Sequence, residues 1–167
     1  YFAGHNIILG VEHTTDELTS DRFVNRRMTT RSLHETEYFL QDEWTVNSHW
    51  MLSSGVRTNF SKAFGFMWMP KIAIKYAPDN HWALRANYSM GYRAPSIKEL
   101  FFNWDHLGMF QIKGSENLQS EKNNYFSLGA EYSKERFFIN VNAYANIFNK
   151  KIEGVWRIYD MQYNFEY

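Results

Sequence analysis

The chain is written with a period of two. Segments of about ten residues put apolar side chains at alternate positions, and turn-forming residues separate them. Trp82, Leu84, Ala86, Tyr88 and Met90 fall on one side of such a segment, opposite His81, Ala83, Arg85, Asn87, Ser89 and Gly91. Ile72, Ile74 and Tyr76 alternate with Lys71, Ala73 and Lys75. Phe126, Leu128, Ala130 and Tyr132 alternate with Tyr125, Ser127, Gly129 and Glu131. Residues 137–147 carry the same pattern, as do 6–13, 34–46 and 50–61. After Gly154 it returns in Tyr159, Met161, Tyr163, Phe165 and Tyr167. Asp42 falls on the apolar side of its segment, which predicts a bulge there. Residues 14–33, rich in Thr, Ser, Asp and Arg, read as a long loop, and 62–67 as a connection. A helix cannot use this period. The expected fold is all-β and antiparallel, with about eight strands.

Two further features select an up-and-down transmembrane barrel. A ten-residue strand rising ~3.3 Å per residue at ~45° tilt crosses about 25 Å, the height of an outer-membrane apolar band. Connections alternate in length: short after Val46, Ala77 and Ser133, longer after His13, Ser61, Gly91 and Phe148. Short turns belong to the periplasmic side and long loops to the outside. Aromatics bracket each short turn, as Trp44 with Trp50, Tyr76 with Trp82, and Tyr132 with Phe137. Such rings favour the headgroup level. A soluble β-sandwich that binds a ligand or carbohydrate is the alternative. It explains the alternation but neither the rhythm nor the Trp placement.

Composition narrows the function. No stretch approaches the ~18 apolar residues of a membrane helix, and the mean hydropathy is negative. Both fit a barrel whose alternate residues face a polar lumen. Zero net charge over 167 residues gives no footprint for nucleic acid. The absence of cysteine excludes thiol chemistry. Carboxylates, serines and histidines form no catalytic pattern, so no enzyme is expected. His5, His13, His34, His49 and His81 lie near strand ends or turns and read as solvated or interfacial. The opening Tyr1-Phe2-Ala3-Gly4 has no initiator methionine, so a segment of a larger protein is expected.

The expected lumen face is charged. Arg57, Lys71, Lys75 and Arg85 fall on three successive strands, and Glu12, Glu35, Glu37 and Glu43 on the two before. Mutual charge balance accounts for this, and guidance of an anionic ligand is the functional alternative.

Residues 91–121 form the longest break. Pro95 ends the strand before it, and Ser96-Ile97-Lys98-Glu99 has the spacing of a capping box, which predicts a helical turn through Leu100 and Phe101. Residues 102–114 are aromatic and apolar around Asp105-His106, a composition that favours packing on a barrel mouth or a ligand.

Tyr92-Arg93-Ala94-Pro95-Ser96, followed by Gly114-Ser115-Glu116-Asn117-Leu118-Gln119-Ser120-Glu121, resembles the paired FRAP and NPNLKPE signature of TonB-dependent outer-membrane receptors. Residues 38–44, Tyr-Phe-Leu-Gln-Asp-Glu-Trp, and Gly10-Val11-Glu12 resemble strands of that family. Ser115-Glu116 departs from its usual Asn-Pro. The resemblance implies the outer membrane of a Gram-negative bacterium and a barrel of about 22 strands. It also implies an N-terminal plug, absent from residues 1–167, through which the TonB system acts. The implied activity is capture of a large scarce nutrient for energised import, haem first, siderophore or cobalamin next. Haem receptors of the family are similar in carrying a histidine between the two motifs, and His106 matches that position. An imidazole ligates haem iron. Phe101, Phe102, Trp104, Met109 and Phe110 would cover the porphyrin, with Tyr92 as a second ligand candidate and Arg93 beside it. No intrinsic cofactor is implied, since haem would be cargo.

Overall fold

The computed structural model describes residues 4–24 and 27–166. Seven long strands form one antiparallel sheet: β1 (His5–Val24), β2 (Arg27–Thr45), β3 (Trp50–Ser61), β4 (Gly65–Tyr76), β5 (Trp82–Arg93), β8 (Glu121–Lys134) and β9 (Phe137–Asn149). They pair in the order β1-β2-β3-β4-β5-β8-β9. Between β5 and β8 the chain forms helix α1 (Ile97–Phe101) and the strands β6 (Asn103–His106) and β7 (Phe110–Lys113). After β9 come β10 (Glu153–Arg157), a 3-10 turn and β11 (Gln162–Glu166). These four short strands make a second sheet in the order β10-β11-β7-β6.

The register fixes two faces on the long sheet. Trp44, Leu52 and Ile74 are successive cross-strand partners, as are Ile74, Ala86, Leu128 and Ala143. These exposed and half-buried side chains form the apolar outer face. Arg57, Lys71, Arg85, Glu131 and Asn142 share the other. At the short-turn end, Trp50 stacks on Tyr76 at 4.3 Å, and Trp82 lies 4.8 Å from Tyr132. They form the belt expected at one membrane interface. In the β4–β5 turn, Asp79 accepts hydrogen bonds from the amides of His81 at 2.7 Å and Trp82 at 2.9 Å. Those bonds hold its carboxyl below the usual range.

Several expectations are corrected. Residues 14–24 and 27–33 are strand, not loop. β1 and β2 continue as a paired ribbon from His5↔Trp44 to Val24↔Arg27. At ~3.3 Å per residue and ~45° tilt, 20 residues climb about 47 Å, well past the apolar band. Beyond the membrane both faces are wetted, so hydrophobic alternation disappears while pairing persists. The ribbon is held by β-branched threonines that bond across it, as Thr19 does to Thr30 at 2.8 Å. The connection expected over 62–67 shrinks to the turn at 62–64, with β4 starting at Gly65, φ 78°. Extra length on that side therefore sits in strands as well as in the loop.

No bulge occurs at Asp42, which pairs in unbroken register with Ile7 and Ser54. The His5 ring receives it instead, with Nδ1 2.8 Å from Oδ2. The eighth strand expected after Gly154 is absent from the long sheet. Ile158–Asp160 form the 3-10 turn, Met161 adopts φ 51°, and the chain folds back as a hairpin in the second sheet. Tyr163 and Phe165 do share a face, on β11. Tyr1-Phe2-Ala3 and Tyr167 lie outside the described residues.

Pro70 sits inside β4, opposite Val56. It cannot donate to a second neighbour, and the β4–β5 ladder begins only at Lys71↔Ser89. Above that point β5 pairs with β8 alone, out to Arg93↔Glu121. A single-layer barrel wall buries little, so the core lies above it. Leu100, Leu118 and Ile152 pack together with Leu33, Phe64 and Phe165, and Phe23 meets Phe101 and Phe102.

Candidate functional site

The folded loop begins with its anchor. The Ser96 hydroxyl accepts from the Glu99 amide while Glu99 accepts from the Ser96 amide at 2.8 Å, the predicted capping box. Arg93 reaches Glu99 Oε2 at 3.0 Å and Glu121 Oε2 at 3.4 Å. Glu121 also accepts from the Ile152 amide at 3.0 Å. The second motif closes the helix from behind: the Gly114 amide donates to Phe102 O at 2.6 Å and the Ser115 amide to Glu99 O at 2.8 Å. Gly114 is required by proximity, since a Cβ there would lie 2.7 Å from Glu99 O and from Leu100 C. The two sequence motifs are thus one structural unit, which seats Leu118 in the core.

On this anchor stands the four-stranded sheet. Its register puts Trp104, His106, Phe110 and Ile112 on one face, continued by Tyr163, Phe165 and Trp156. The rings touch in series. His106 lies 4.8 Å from Trp104 and 5.0 Å from Phe110, and Phe110 lies 5.5 Å from Trp156. The Arg22 guanidinium, from the tall β1–β2 ribbon, sits 4.3 Å over the Trp104 ring. A cleft of about 790 Å³ opens there, lined by Asp21, Arg22, Trp104, Asp105, His106 and Gln111 among others. Among the described residues the half-buried His106 imidazole makes no side-chain hydrogen bond, and no cluster of three or more metal-ligating side chains exists. The arrangement offers flat apolar rings, one cation and one available imidazole.

Of the residues singled out from sequence, His106, Trp104 and Phe110 come together. Tyr92 and Arg93 do not join them. The Tyr92 hydroxyl donates to Glu35 at 3.2 Å, across β4 and β3, and Arg93 is held in the anchor. On the inner face Arg57 pairs with Glu37 at 2.6 Å and Arg85 with Glu131 at 2.8 Å. Lys75 faces Arg85 across the ladder, and neither Lys71 nor Lys75 forms an ion pair among the described residues. Sequence reasoning missed Arg22, Trp156 and Tyr163. Arg22 lies in the stretch read as loop, and only the ribbon's height brings it over Trp104.

A seven-stranded wall, apolar outside and charged inside, topped by a folded loop, defines a segment of an outer-membrane β-barrel. The chain belongs to the TonB-dependent receptor-like β-barrel family, whose model matches residues 3–162. That is a family of transport receptors of the Gram-negative outer membrane, not of enzymes. The chain is similar to the iron-regulated outer membrane virulence proteins of two Vibrio cholerae O1 strains, with 27% and 26% identity over 155 residues. The match covers 90% of this chain and 24% of each relative, so the chain spans about a quarter of their length. Among solved structures it resembles the siderophore receptor PirA of Pseudomonas aeruginosa, at TM-score 0.81 and 16% identity over 99% of this chain and 34% of that one. It also resembles a variant of the ferric enterobactin receptor of P. aeruginosa with enterobactin bound, at TM-score 0.79, 21% identity, 97% of this chain and 28% of that one. The FrpB iron transporter of Neisseria meningitidis follows at TM-score 0.70 and 12% identity, over 98% and 28% of the respective chains. At these identities the structural likeness establishes fold.

Proposed function

We propose that the receptor containing this chain imports an iron complex, and that the cleft between Arg22 and the β6–β7 hairpin forms part of its outer binding site. The observation that carries this is the Arg22 guanidinium 4.3 Å over Trp104, at the mouth of a cleft walled by aromatic rings. A cation beside flat apolar rings suits an anionic ligand that is itself ring-bearing. Relatives that are iron-regulated and structural neighbours that are siderophore receptors favour a ferric siderophore. Haem is the second reading, supported by the His106 imidazole between Trp104 and Phe110 with no hydrogen-bond partner among the described residues.

In this reading Lys71 and Lys75 draw the anionic complex along the lumen, while Tyr92 and Arg93 set the position of the loop. Release requires a plug outside residues 1–167, moved by the TonB system. The test is titration of the full-length receptor with ferric enterobactin and with haemin, followed by tryptophan quenching and, for haemin, the Soret band. Arg22→Ala is expected to weaken the preferred complex about tenfold. If ferric enterobactin binds and His106→Ala leaves it unchanged, the siderophore reading stands. If only haemin binds, and His106→Ala shifts its Soret band, haem replaces it. If neither is affected by Arg22→Ala, the cleft is not the site.

A further inference from the structure

The outer face of the barrel wall is not uniform. Between β4 and β9 it carries a groove with two overlapping sections of about 530 and 500 Å³, which share Ile74, Ala86, Leu128 and Ala143. It is recessed at Ala86 on one side of the exposed Leu128 and at Ala143 and Ala145 on the other, and Ile72, Phe126 and Val141 rise beside these recesses. The ring pair Tyr88–Phe126 borders it at one end, 5.0 Å between centroids. The Trp50–Tyr76 pair borders it at the short-turn end.

The register continues this face past the groove. Ala130↔Val141 is followed by Tyr132↔Ile139 and then by Lys134↔Phe137. Lys134 is exposed there and forms no ion pair among the described residues. Phe126 to Lys134 is eight residues along β8, about 26 Å at ~3.3 Å each and about 19 Å along the membrane normal at ~45° tilt. Half of a ~30 Å hydrocarbon core plus the start of the headgroup layer is about that deep.

From the apolar groove, the ring belt and the terminal cation in line on the bilayer-covered face, we infer that this surface holds a phospholipid of the periplasmic leaflet. Its acyl chains lie on either side of Leu128, over Ala86 and over Ala143, and the phosphate meets the Lys134 ammonium, whose stem runs along apolar surface with its head in water. The shallow recesses beside Leu128 give the chains more dispersion contact than the flat wall elsewhere. This lipid is therefore retained when bulk lipid exchanges.

The test uses the full-length receptor purified in mild detergent and read by native mass spectrometry, with phosphorus analysis of the extracted lipid. The wild type is expected to keep one phospholipid per barrel. Filling the floor with Ala86→Leu/Ala143→Leu should lower occupancy at least tenfold, and Lys134→Gln several-fold. Thr58→Leu, on the same outer face but outside the groove, should leave it unchanged. Heat-modifiable gel mobility and iron-complex binding show which variants are folded. A single substitution, Ala143→Val, replaces the double variant if that one fails to assemble. No phospholipid on the wild type would overturn the inference. So would equal occupancy in the filled variant, or a co-purifying protein on this face in place of lipid.

Discussion

Arg93 and Glu121, 28 residues apart in sequence, meet across the last rung of the β5–β8 ladder with Nη2 3.4 Å from Oε2. The same guanidinium holds Glu99 of α1 at 3.0 Å. One side chain therefore ties both ends of the loop to its helix. Charge-assisted bonds of this kind are the stronger ones, though Arg93 is 44% exposed, so water screens the pair.

Arg93→Ala should accordingly loosen the cap by only ~1 kcal/mol or slightly more, by leaving two carboxylates side by side. The barrel wall should be unaffected. Hydrogen exchange of the full receptor checks this: protection should fall over residues 96–121 and stay constant in β2 and β3.

Acid should act on the same point. Burial pushes the Glu99 carboxyl up, but the Ser96 amide, Arg93 and the Ser96 hydroxyl outweigh it and hold it below the ordinary range. A carboxyl depressed in the folded state stabilises above its unfolded pKa of about 4.3, and that contribution is lost as pH falls through the folded value. Protection of α1 should thus be flat from pH 7 to about 5 and fall below about 4. Glu99→Gln should remove the pH dependence and start from the weaker level.

How much of this was written in the sequence differs by region. Inside the membrane the outer face must be apolar, so the period of two in residues 82–90 and 126–132 marks strands and facing at once. Above the membrane that constraint ends. Thr14 to Ser20 pair with Thr29 to Glu35 as regularly as Leu9 with Leu40, yet polar side chains on both faces hide it. The capping box was legible because it depends on a four-residue spacing. The His106–Trp104–Phe110 group was legible as a composition. Its partners Arg22, Trp156 and Tyr163 were not, because a parallel pairing of β11 with β7 and a cation from β1 are long-range facts.

Gly114→Ala is a sharper test of the loop than any charge change. A methyl at this position would meet backbone atoms of Glu99 and Leu100 at 2.7–2.8 Å, and backbone cannot swing aside as a flexible side chain can. The cost is expected at ~1–3 kcal/mol, typical of overpacking. Limited proteolysis should cut within residues 94–120 at least tenfold faster, with heat-modifiable mobility of the barrel retained.

The inner wall gives a separate prediction. Glu12 faces Glu37 directly across the β1–β2 ladder, and Arg57 neutralises Glu37 at 2.6 Å. Like charges directly opposed destabilise a sheet pair. Arg57→Ala should cost ~1 kcal/mol and lower the urea resistance of the folded barrel. Adding Glu37→Gln should restore most of it, because the remaining carboxylate then has no opposing charge. If the double variant is no better than the single one, Arg57 acts through its contact with the Phe39 ring, 5.4 Å away, and not through charge.

The cleft itself turns on Trp104. Its ring lies beneath Arg22, 4.8 Å from His106 and 6.2 Å from Phe110, so it sets the positions of the cation and the imidazole together. Trp104→Ala removes the platform and frees both. For an anionic, ring-bearing iron complex the expected loss is at least tenfold in Kd, about 1.4 kcal/mol. Trp104→Phe keeps a flat surface with a weaker hold on the guanidinium, and should fall between wild type and alanine. Fluorescence titration of the three full-length proteins measures the series, with exchange protection of α1 as the control that the anchor is intact. An alanine variant that binds as tightly as wild type, with α1 protected, would mean that ligand contacts lie on other loops and that the aromatic face serves the packing of the cap.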